Sequence, residues 1–136
     1  MSNATNYLED ELIKHLFRTG SFTKPTVLGV ALFTAAPGEA GGGTEVTGGS
    51  YARVDNPPLD ANWSATAAGD GETDNVADIV FPAPTANWGN VSHMAILDAT
   101  TAGNMLIYDT LGTTKTVNSG DPAPKFSAAA LVVSVA

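Results

Sequence analysis

Few positions in this chain carry residue types that could do chemistry. They are His15 and His93, the acidic run Asp70-Gly71-Glu72-Thr73-Asp74, the glycine triplet with threonine Gly41-Gly42-Gly43-Thr44, and the tryptophans Trp63 and Trp88. General acid–base catalysis needs a histidine oriented beside a nucleophile. His15 falls beside the apolar stripe of a helical segment, where a solvated histidine favoured by the helix dipole is expected. His93 follows Ser92 in Val91-Ser92-His93-Met94-Ala95, but no serine sits in a nucleophile-elbow sequence, so a structural His93 is expected. The acidic run offers carboxylates to calcium, which takes about six to eight oxygen ligands, yet it lacks EF-hand spacing and reads as a solvated turn. The glycine triplet lacks the lysine and the strand-then-helix context of a phosphate-binding loop and reads as a flexible turn. Carboxylate pairs of the glycosidase kind are not legible from sequence, because spacing along the chain gives no distance in space.

Each tryptophan follows an asparagine near a turn, in Asn62-Trp63-Ser64 and Asn87-Trp88-Gly89. Exposed together, Trp63 and Trp88 would stack on sugar rings or anchor an interface. Buried, they would plug the ends of a β-sandwich, the reading the average burial of tryptophan favours.

The elements that must position these residues are short strands. With 136 residues the chain has room for one domain, 1–136, and its 43% hydrophobic content with only 7% aromatics predicts a core of small side chains between sheets. Residues 1–20 hold a helix with Leu8, Leu12, Ile13, Leu16 and Phe17 on one stripe, Asn6 and Glu9 as a capping pair, and Gly20 as its stop. Residues 25–136 read as a sandwich. Thr26 to Thr34 predicts a central strand buried on both faces. Pro37 to Gly49 is a long loop with an extended piece at Thr44-Glu45-Val46. Tyr51 to Val54, Trp63 to Thr66, and Val76 to Phe81 with Ala77, Ile79 and Phe81 on one face are further strands. Val91 to Asp98 and Met105 to Leu111 form a hairpin, and Lys115 to Asn118 and Leu131 to Val135 close the chain. One helix and about seven or more short strands give a mainly β fold, an antiparallel β-sandwich of jelly-roll or Greek-key type. No solenoid repeat and no charge block is seen.

Composition excludes several classes of function. Six basic against 14 acidic residues leave a net charge of −8, which repels phosphate backbones and anionic membranes, so neither nucleic acid nor membrane is an expected partner. Without cysteine there is no disulfide scaffold, thiolate metal site or cysteine nucleophile, and the residues predict no cofactor and no metal. No apolar run reaches the ~20 residues that span a bilayer, and Met1-Ser2-Asn3-Ala4 does not open a signal peptide, so cytosolic synthesis is expected.

Several strings taken in order carry a resemblance. They are Asn3-Ala4 with Tyr7-Leu8-Glu9 and Leu16-Phe17-Arg18, Ala31-Leu32-Phe33-Thr34 with Pro37, and Gly41-Gly42-Gly43-Thr44-Glu45-Val46 running into Gly48-Gly49-Ser50-Tyr51-Ala52-Arg53. Phe81-Pro82, Trp88-Gly89, His93, Asp98 and Lys115-Thr116-Val117-Asn118-Ser119-Gly120-Asp121 complete them. In order and spacing the chain resembles short tailed-phage proteins described as tail-fibre-like. The resemblance implies a non-enzymatic virion component on the head or the tail. A fibre needs a shaft of repeats that this chain lacks. The reading is therefore a capsid decoration or cement protein, a homotrimer bound to the major capsid protein or tail proteins, with Leu8, Leu12, Leu16 and Phe17 packing in cis or docking a neighbour. The alternative is a tail-fibre or receptor-binding module holding a host glycan through Trp63 and Trp88. A capsule depolymerase would need an acid–base constellation that the sequence does not display.

Overall fold

The computed structural model of the chain describes residues 2–66 and 69–135. Its framework is three long strands: β2 (Gly29–Ala35), β7 (Gly89–Leu97) and β8 (Met105–Val117). Around them lie β1 (Asn3–Ala4), α1 (Asn6–Phe17), β3 (Thr44–Glu45), β4 (Val54–Asp55), β5 (Glu72–Asp74), β6 (Ile79–Val80), β9 (Lys125–Phe126) and β10 (Val132–Ser134). The main sheet has the order β1-β8-β7-β2-β3, with β4 also paired to β2, and every pairing is antiparallel. Two ribbons, β5 with β10 and β6 with β9, complete the fold. The protein is mainly β and antiparallel with one helix, as the sequence predicts. Two short ribbons stand where a jelly roll would have a second extended sheet.

The segment Gly29 to Phe33 is buried at every residue because both faces of the sheet are covered. Alternation sends Val30, Leu32, Met94, Ile96 and Ile107 to one face. There they meet Leu8 of α1, and Ile79, Phe81 and Leu131 from the ribbon side. Ala31, Phe33, Ala95 and Leu97 form a smaller cluster on the other face, with Met105 and Tyr108 against it. Asn75 is fully buried and fully bonded. Its Nδ2 donates to the Ala77 and Ser127 carbonyls at 2.8 and 2.9 Å, and its Oδ1 accepts from Leu131 N–H at 2.9 Å, which joins the two ribbons.

Five expectations need correction. The N-cap of α1 is Thr5 rather than Asn6, since the Thr5 hydroxyl accepts from Leu8 N–H and donates to the Met105 carbonyl. Lys115 to Val117 is the end of β8, because Gly112 takes no left-handed φ and the strand runs through it. Glu72 to Asp74 is strand β5, not an acidic turn, because β10 supplies its hydrogen bonds. Trp63 makes an isolated bridge to Asn75 rather than opening a strand, and Ala77 is exposed while Ile79 and Phe81 face the core.

Ser2 and Ser134 close the molecule on itself. The Ser2 hydroxyl donates to the Ser134 carbonyl at 3.0 Å and accepts from Ser134 N–H at 2.7 Å, and both residues are buried. Among the described residues no helix is long and apolar enough to cross a membrane.

Candidate functional site

The strongest polar constellation lies at the edge of the main sheet. β3 places Glu45 opposite Phe33, and the Gly48-Gly49 turn brings Tyr51 and Arg53 back beside it. Arg53 grips the Glu45 carboxylate with two bonds, Nε to Oε1 and Nη2 to Oε2, both 2.8 Å. Its Nη1 donates to the Ala99 and Ala102 carbonyls at 2.9 and 2.7 Å, fixing the turn of the β7–β8 hairpin. The Tyr51 hydroxyl donates to Glu45 Oε1 and accepts from Leu32 N–H, each at 2.9 Å. Burial raises the Tyr51 phenol well above its ordinary range. Burial also opposes ionisation of Glu45, but the bonds from Arg53 and Tyr51 outweigh it and hold the carboxyl below its usual value. The Glu45 bond is the largest influence on Arg53 and raises its pKa. With four of its five N–H donors committed to this chain, Arg53 acts as a structural bolt and not as a ligand clamp.

The glycine loop crosses the smaller cluster. Asn6 N–H donates to the Glu39 carbonyl at 2.8 Å, so the loop between β2 and β3 reaches the start of α1 beyond the opposite edge strand. Gly38 and Gly41 close it with reciprocal bonds of 2.9 and 2.8 Å. Beneath this strap is an open cleft of ≈ 590 Å³ lined by Phe33, Leu97 and Met105 as well as Glu39, Glu45 and Arg53.

The four helix residues singled out from sequence divide. Leu8 is buried in the main core and Leu12 packs against it. Leu16 and Phe17 are 66% and 77% exposed, and Ile13, one turn earlier, is 53% exposed. The second half of α1 is thus an apolar tip turned away from its own core, flanked by Lys14, His15 and Arg18. A second apolar feature, a groove of ≈ 340 Å³, opens on the ribbon side and is lined by Leu59, Trp63, Ile96, Leu106 and Val133, with Asp60 among its residues. Sequence reasoning missed this groove, which comes from residues far apart in the chain. It also missed a signal that was present: residues 12–38 contain Lys14, Arg18 and Lys24 and no acidic residue, while residues 54–114 contain eight acidic residues and no lysine or arginine.

The tryptophans are not an exposed pair. Trp88 is 6% exposed, donates from Nε1 to the Gly49 carbonyl at 2.9 Å and meets the Tyr51 ring edge-on at 5.3 Å. Trp63 is half-buried against the core and donates to the Asn56 carbonyl at 3.1 Å. Reading Trp88 as a surface contact is therefore corrected: the Gly48-Gly49 turn caps it, and its indole N–H finds a carbonyl inside. His15 is exposed and its Nδ1 accepts from Phe22 N–H. The His93 Nδ1 lies 2.7 Å from the Ser92 hydroxyl, which also reaches the Thr34 carbonyl at 3.5 Å. Among the described residues no group of three or more His, Cys, Asp or Glu is placed to hold a metal.

A comparison with curated proteins finds no match. The model of a protein family does match, over residues 3–134, which takes in every strand described above, the glycine strap and both apolar features. A match of that extent makes the chain a member of the family described as Podophage GP4 fiber I protein gp80, and so a structural protein of a tailed-phage virion.

Proposed function

We propose that the chain is a fibre-associated module of the phage particle that works by protein–protein contact, as a homo-oligomer of three copies, and not by chemistry. The observation that carries this is the apolar tip of α1: Ile13, Leu16 and Phe17 stand out from a chain whose other large apolar side chains are mostly packed. The fibre assignment draws on the description of the family. Adhesion by contact area is a sufficient mechanism, since each 100 Å² of apolar surface removed from water contributes roughly 2.5 kcal/mol before association costs. The half-buried Trp63 and buried Trp88 argue against a glycan platform made of the two rings.

A second reading is a decoration or cement protein on the major capsid protein, which the exposed apolar tip of α1 on a small antiparallel β fold would serve equally well. Immuno-gold labelling of intact virions separates the two. Label at the tail or neck supports the fibre reading; label spread over the head overturns it in favour of decoration.

A further inference from the structure

We infer that residues 38–42 of the glycine strap are a hinged lid over the smaller apolar cluster, held shut by one backbone bond to α1. The base of the strap is fixed. Pro37 is buried, and the backbone at Gly43 runs so close to its neighbours that a Cβ there would lie 2.8 Å from the Ala35 carbonyl oxygen and the Pro37 nitrogen. Beyond that base the crowding ends. A Cβ at Gly41 or Gly42 would meet nothing within 4 Å, and one at Gly38 would meet only the Gly41 carbonyl oxygen, at 3.9 Å. Glycines in open space absorb the dihedral change that a hinge requires.

The turn that the hinges carry is held together internally. Gly38 and Gly41 exchange two backbone bonds, so Glu39 and Ala40 at the tip move with them. Its attachment to the body is slight. Among the described residues none of 38–42 joins either apolar cluster, the Glu39 carboxylate has no ion-pair partner, and the tip is tied to α1 only by the Asn6 N–H on the Glu39 carbonyl. A segment with exposed bonds and few apolar contacts opens on its own, without the sheet. Beneath it Phe33 and Leu97 are buried and Met105 is half-buried. Keeping them from water makes the closed form dominant and the open form a minor population, so the lid sets access to the second face of the sheet.

Hydrogen exchange of the full chain, followed amide by amide, tests this. The Asn6 amide should be protected roughly tenfold or more less than that of its neighbour Thr5, whose N–H is bonded to the Leu106 carbonyl in the main sheet. A variant adds a second reading. Asn6 is the first residue of α1 after the Thr5 cap, where proline is favoured, and Thr5 already has the extended backbone that precedes a proline, φ −85 and ψ 159. Asn6→Pro therefore deletes the latch N–H and spares the helix. Dilute peroxide should oxidise Met105 severalfold faster in this variant than in the parent, while Met94, buried in the main core, stays protected and melting stays close to the parent's. An Asn6 amide as protected as that of Thr5, or a folded variant whose Met105 oxidises at the parent rate, overturns the inference. The exchange measurement uses the unaltered chain, so it decides the matter even where the variant fails to fold.

Discussion

Arg53 directs its guanidinium into its own chain, to both oxygens of Glu45 and to two carbonyls of the hairpin turn. A lysine has one ammonium in place of this planar fork, so Arg53→Lys should not preserve the arrangement. We predict a loss of about 2–4 kcal/mol in urea unfolding, the cost of leaving a largely buried carboxylate and two carbonyls short of partners. The same node sets an acid limb. The folded Glu45 carboxyl has its pKa below the ordinary value of 4.5, so the folded state prefers it ionised. That stability is present above the unfolded pKa and is lost as pH falls through the folded one. Unfolding free energy should therefore hold steady above about pH 5 and decline below about pH 4.5; Glu45→Gln should lower the plateau and flatten the decline. None of this was legible in the sequence: Glu45 and Arg53 are eight residues apart across a glycine turn, and only the fold makes them neighbours. The two tryptophans were legible as far as burial goes, since large aromatics seldom stay wet without a partner.

Among the elements, the glycine strap was recognisable as a loop from its residues but not as a span tied to α1, because the bond from Asn6 to Glu39 is a backbone contact that no side chain announces. Its two central glycines give a graded prediction. Gly42 has φ +81 with open space where a Cβ would stand, so Gly42→Ala should cost about 1 kcal/mol from left-handed strain alone. Gly43 has φ +78, and a Cβ there would lie 2.8 Å from the Ala35 carbonyl oxygen and the Pro37 nitrogen. Those atoms are backbone and cannot swing aside, so thermal unfolding should show Gly43→Ala to be clearly the worse substitution. The long strands and α1 were legible because their patterning extends over seven or more residues. The two-residue strands β1 and β9 were not: Asn3-Ala4 and Lys125-Phe126 carry no periodicity, and each is a strand only because a neighbour offers an edge. Thr5 took the cap from Asn6 because β1 ends against β8, which puts the Thr5 hydroxyl beside Met105.

Over the whole molecule, the charge is sorted. Half of the basic residues stand at 14–24, and the long acidic stretch that follows supplies β5 and the groove margin. Only the fold shows where they stand: Lys14 and Arg18 lie beside the exposed tip of α1, and Asp60 lines the ribbon-side groove. The Ser2–Ser134 clasp brings together residues 132 positions apart. If it belongs to the same cooperative unit as the sheet, the Ser134 amide should exchange with deuterium as slowly as the amide of Met94 in β7. Faster exchange at Ser134 would mean that the clasp opens on its own.

That clasp also governs how the protein answers a pull. Residues 2 and 134 sit side by side, so tension applied between them acts first on the bonds joining the two serines. It would then peel β1 from β8 and β10 from β5 one hydrogen bond after another, while the long β2–β7–β8 ladders carried none of it. Peeling demands little force at each step. A particle that transmits strain through this protein must grip it by its flanks, for which the rigid helix tip and the bolted hairpin turn are the available handles.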